Sequence, residues 1–158
     1  MAGVPMKRYA LVLGLLAATF FVRVIGQLAV SLFEPSFLPP MERWYSGLLQ
    51  YPALLLSQIL ILCFQAMVSM QLWRGKGTLT HPRPALGRAL KWFSLVYFLA
   101  MAVRYGISAS IDPEGHLVIP ILFHFILALY IYLLSRYWRS LPPPGSSLVR
   151  VAQNEDSE

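Results

Sequence analysis

Cysteine is almost missing from this chain: Cys63 is the only one in 158 residues. A single thiol excludes an internal disulfide, a CxxC pair and a thiolate metal cluster, and its place in an apolar run reads as a small buried hydrophobe rather than a reactive group. Acids are scarce too, seven against thirteen Lys and Arg. None falls inside a long apolar run, which speaks against a carboxylate proton relay. Of the three histidines, only His124 lies well inside such a run, with His116 at the edge of one and His81 in a basic loop. His116 and His124 stand two helical turns apart, roughly 12 Å, too far to share one ion, and no second helix offers a facing histidine for a haem. No metal is therefore expected. The chain also lacks a P-loop, GxSxG, HExxH or dinucleotide fingerprint, so no catalytic residue can be named from a motif.

What is abundant is apolar sequence. Hydrophobic residues make up 57% of the chain and its mean hydropathy is +0.58, too apolar for a soluble domain of this length. Four runs, at about 10–33, 51–73, 89–111 and 116–138, are each long enough to cross roughly 30 Å of hydrocarbon with some tilt. The expected fold is all-α: an integral membrane bundle of four transmembrane helices over 1–139, followed by a disordered cytoplasmic tail over 140–158. That tail carries Pro142-Pro143-Pro144-Gly145 and the acidic end Glu155-Asp156-Ser157-Glu158. The first run is longer than a signal-peptide core and its best small-residue pair, Ala29 and Ser31, lies beyond two polar residues, so it reads as a retained span.

Charge location fixes the expected orientation. Lys7, Arg8, Arg74, Lys76, Arg83, Arg88, Lys91, Arg136, Arg139 and Arg150 fall on one side of the four spans, and Arg43 stands alone on the other among Glu34, Glu42, Asp112 and Glu114. The positive-inside rule then places both termini and the central loop in the cytoplasm of a cell with this chain in its inner membrane. Trp44 and Tyr45, and Trp138 between Arg136 and Arg139, read as interfacial anchors. The basic loop from Arg74 to Lys91 lacks the interleaved aromatics and folded module of a nucleic-acid site. It reads as a topology determinant with some affinity for anionic lipid.

The two halves resemble each other. Val22-Arg23, Glu34-Pro35, Pro52 and Trp73-Arg74 answer in order to Val103-Arg104, Asp112-Pro113, Pro120 and Trp138-Arg139. This pattern fits a 2+2 parallel repeat about an axis along the membrane normal. It equally fits the Pro and Trp-Arg placements that membrane helices accumulate at their ends.

Two arginines sit inside apolar runs, where each costs about 2.5–3.5 kcal/mol on insertion scales. Arg23, Gln58, Arg104 and His124, one residue per span, all lie roughly 10–15 Å below the outer surface at 1.5 Å per residue. Thr19, Arg23, Gln27 and Ser31 follow along one strip of the first span. Tyr97, Arg104, Ser108 and Asp112 follow along the third, Gln58, Gln65 and Ser69 share a face of the second, and His116, Pro120 and His124 share a face of the fourth. Facing inward, these strips enclose an outward-opening cationic cavity with Arg23, Gln27, Gln58, Arg104, Ser108 and His124 as its ligand-binding residues. Facing outward, the arginines snorkel to headgroups and the glutamines serve as interhelical hydrogen bonds.

Arginine suits phosphate and carboxylate through its planar fork. The expected function is therefore binding, not catalysis, of an amphiphile with an anionic or carbonyl-bearing head: a lipid, an isoprenoid phosphate or a quinone. The quinone is the one cofactor this chemistry admits. A partner subunit, or a second copy meeting at Gly14-xxx-Ala18, is the corresponding protein occupant. Two other classes stay open: a membrane redox or lipid-modifying enzyme using His124 with Arg23 and Arg104, and a structural subunit whose arginines pair with the acids at the outer face.

Overall fold

The computed structural model describes residues 6–41, 44, 50–111 and 118–141. Those residues form four long helices, α1 Met6–Phe33, α2 Tyr51–Arg74, α3 Pro84–Ile111 and α4 Val118–Ser140, with a short 3-10 turn at Thr78–Thr80. Each helix is long and apolar enough to cross a membrane. The expected tail beyond residue 141 and the Asp112-Pro113-Glu114-Gly115 turn lie outside the described residues.

α1 and α3 start earlier than their apolar runs, at Met6 and Pro84 instead of about 10 and 89. Basic residues are good helix formers, so the helices propagate through Lys7, Arg8 and Arg88 into polar surroundings. Proline opens α3 and stands second in α2, positions where a missing N–H costs no intrahelical bond. α2 stops at Gly75, whose left-handed φ of 65° lets its N–H reach Leu72 O while the Lys76 N–H reaches Gln71 O. α1 stops at Glu34, which also takes a positive φ, 45°, and donates to Val30 O.

The helices make three close pairs: α1 with α2, α1 with α4, and α3 with α4. α1 and α4 thus form the middle of the molecule and α2 and α3 its flanks, with α3 buried only at Gly87 and Ser94. A 2+2 repeat would make the α2–α3 pairing equivalent to α1–α4, but α2 and α3 form no comparable pairing. Among the described residues a Cβ on Gly14 would meet no atom within 4 Å.

The apolar core lies toward the α2–α3 loop, where Leu13, Val68, Leu72, Tyr130, Leu134, Tyr137 and Trp138 are buried together. Trp138 is not the interfacial anchor expected of it. The α2–α3 loop folds over the end of α4, so the indole is buried and donates to Leu79 O at 2.8 Å, while the Tyr137 hydroxyl donates to Thr80 O. Cys63, expected to be buried, is instead exposed on the apolar flank of α2.

Candidate functional site

Toward the other end of the bundle, where α1 meets α2, the core turns polar. Arg23 stands ten residues before the end of α1 and is only 7% exposed. Its guanidinium points into the bundle: Nη2 donates to the Trp44 carbonyl at 3.3 Å and Cζ lies 5.5 Å from the centroid of the Phe123 ring. A cation over an aromatic face gains on the order of 1 kcal/mol, more when desolvated. Nε finds no hydrogen-bond partner. Among the described residues no carboxylate pairs with Arg23, whose contacts include a neutral carbonyl and a ring.

One turn further along α1, Gln27 is fully buried and accepts at Oε1 from Gln58 Nε2 of α2 at 3.1 Å. The pair is half-satisfied, since Gln27 Nε2 and Gln58 Oε1 have no partner. On the facing helices the Tyr97 hydroxyl of α3 lies 2.5 Å from His124 Nδ1 of α4, and the two rings meet edge to face. His124 is within electrostatic reach of both Arg104 and Arg23.

A cavity of about 190 Å³ runs between these groups. Arg23, Ser57, Gln58, Tyr97 and His124 supply its polar wall, and Phe20, Leu54, Ile61, Phe123 and Leu127 its apolar wall, with Trp44 and Pro120 completing it. Every one of the four helices contributes. The Tyr97 hydroxyl donates to or accepts from Nδ1 according to which imidazole nitrogen of His124 carries the proton. Arg23 and Gln27 are hydrogen-bond donors, and the whole is sized for a head group rather than for an entire lipid.

Arg23, Gln58 and His124 therefore come together at one cavity, and Gln27 stands behind Gln58. Arg104 and Ser108 are half-buried on α3 and are not among the residues lining it. Thr19 and Ser31 are exposed, with the Thr19 hydroxyl bonded back to Leu15 O. The strip they were expected to extend swings about 40° around the helix with each four-residue step, so only its middle faces inward. His116 and Asp112 lie outside the described residues. Gln65, seven residues from Gln58, is also buried, and neither polar atom of its side chain finds a partner.

Sequence reasoning misses Ser57 altogether, and with it the roles of Tyr97 and Trp44. Tyr97 was placed on the α3 strip without a role, and it is the hydroxyl that meets His124. Trp44 read as an interfacial anchor, yet its ring is turned inward and buried, with Nε1 donating to Pro39 O at 3.0 Å. The signal was present in Gly26: a Cβ there would stand 2.9 Å from Trp44 Cη2, so only glycine leaves room for the indole. Among the described residues no three His, Cys, Asp or Glu side chains gather in a way that could hold a metal ion. No family model, curated protein or solved structure matches this chain.

Proposed function

We propose that this chain is a multi-pass protein of the cell inner membrane, with both termini cytoplasmic, that binds the polar head of an amphiphile in the cavity at Arg23. The observation that carries this reading is a buried guanidinium whose hydrogen-bond partner is a neutral carbonyl and whose Nε is unpaired. A buried polar group without a partner costs about 1–3 kcal/mol, more if charged. A phosphate, carboxylate or quinone carbonyl beside Arg23 offsets that cost and supplies a partner for the glutamine layer. The Ser57 hydroxyl and the Tyr97–His124 pair complete a polar wall opposite an apolar one, the division an amphiphile requires.

Mass spectrometry of lipids and quinones that co-purify with the native protein and with Arg23→Gln tests this directly. A species present at near-stoichiometric level in the native protein and at least tenfold depleted in the variant is the expected result. Identical extracts overturn it. A second reading, a membrane redox or lipid-modifying enzyme, is favoured by the Tyr97–His124 hydrogen bond, since a hydroxyl against an imidazole nitrogen is a pair through which a proton can pass. In that case His124→Ala retains the bound species and loses turnover.

A further inference from the structure

The cavity at Arg23 has Trp44 at one end and, among the described residues, no close α2–α3 pairing along its side. Toward the α1–α2 loop it is covered by Trp44, whose buried ring lies against Gly26 and whose carbonyl holds the guanidinium. Around its circumference the helices make only three of the four close pairings a ring requires, and the missing one is between α2 and α3. Both of those helices nevertheless line the cavity, α2 through Leu54, Ser57 and Ile61 and α3 through Tyr97. Among the described residues the bundle is therefore least closed between α2 and α3.

The charge of the site narrows what belongs there. Arg23 is a permanent cation, and among the described residues no acid lines the cavity. A neutral head would leave the guanidinium uncompensated in a medium where charge is costly. An anionic oxygen pair matches its fork.

We propose that the occupant is an anionic amphiphile taken from the bilayer, entering sideways between α2 and α3 so that its head reaches Arg23 and its chain stays in the seam. This rests on the reading of the Arg23 cavity as a head-group site. Carboxylate and phosphate heads share the recognising chemistry. The route distinguishes a membrane lipid from a water-soluble anion, because Trp44, the described residue at the α1–α2 loop end of the cavity, sits on the guanidinium itself. Trp44 is the residue that enforces this selection.

The test is equilibrium binding of radiolabelled oleate and of 1-oleoyl-lysophosphatidate to the full-length protein in phosphatidylcholine nanodiscs, with acetate and inorganic phosphate as soluble competitors. The native protein is expected to bind at least one of the two lipids, and 10 mM acetate or phosphate is expected to displace less than a tenth of it. In Trp44→Ala, with the aqueous side opened, the same anions are expected to displace at least half. Ser57→Trp, which fills the seam, is expected to slow lipid association at least tenfold. Displacement by the soluble anions to the same extent in the native protein and in Trp44→Ala overturns the lateral route while leaving the head-group site intact. Failure of both lipids to bind the native protein overturns the site itself and the route with it. The native competition keeps the proposal falsifiable if either variant fails to fold.

Discussion

Arg23 and Arg104 differ in consequence although their neighbourhoods in sequence are alike. Arg23 is on a central helix, so its guanidinium is surrounded by α2, α4 and Trp44, whereas Arg104 is on a flank and stays half-buried. Beside Arg23, the Gln27–Gln58 hydrogen bond joins α1 to α2 but leaves one polar atom on each side chain unpaired. Such interhelical bonds average about 0.6 kcal/mol. A double-mutant cycle of Gln27→Leu and Gln58→Leu, read by reversible unfolding in mixed detergent, is therefore expected to give a coupling energy below about 1 kcal/mol. The double variant should be no less stable than the weaker single one, because replacing both partners leaves no orphaned amide. A coupling of several kcal/mol would show that the pair holds the fold and not merely the site. Gly26 makes a sharper prediction. Gly26→Leu places side-chain atoms where the Trp44 ring now lies, which should expel the indole and cost about 1–3 kcal/mol by overpacking. Its emission should shift to the red against a Trp44→Phe control, and unchanged emission would count against the buried position of Trp44.

α3 is attached to the rest of the chain through one helix, and the attachment depends on close backbone approach. A Cβ on Gly87 would lie 2.8 Å from Arg139 Cγ and 3.0 Å from Ser135 O, while one on Gly106 would meet nothing within 4 Å. Gly87→Leu should therefore push α3 from α4, lower stability by about 1–3 kcal/mol and increase amide exchange along α3. Gly106→Leu, outward and unopposed, should leave both unchanged. Equal effects would contradict the one-sided packing of α3. The existence and approximate limits of all four helices were legible in the sequence, because twenty-residue apolar runs with Pro at two of their starts and Gly after α2 leave little choice. The level of the polar layer was legible too, since depth along a helix is a matter of counting. Which helices are central was not. α2 is as apolar as α1 while α3 is the least apolar of the four, so hydropathy does not single out the two flanks, and it cannot distinguish a surface that meets lipid from one that meets protein. The fate of Trp44 and Trp138 was illegible for a related reason: a tryptophan beside a loop suits the interface equally well, and only the path of each loop decides that both indoles turn inward.

Charge is distributed over the molecule along its long axis. The α2–α3 loop end carries Lys7, Arg8, Arg74, Lys76, Arg83, Arg88 and Arg139, with Arg83 lying over the buried Trp138 ring at 6.0 Å. The opposite end offers Glu34 among the described residues, with Arg104 of α3 the basic side chain nearest to it outside the cavity. A cluster of lysine and arginine resists translocation, so the clustered end should remain cytoplasmic and the Trp44 end should face away from the cytoplasm. Cys63→Ser removes the only thiol, and new cysteines at Leu38 and Lys76 then report one loop each. In intact cells with a permeable outer layer, a membrane-impermeant maleimide is expected to label Leu38→Cys and to spare Lys76→Cys until the inner membrane is broken. The reverse pattern would invert the molecule. It would put the covered side of the Arg23 cavity toward the cytoplasm, so that the amphiphile drawn into the seam would come from the cytoplasmic leaflet instead of the outer one.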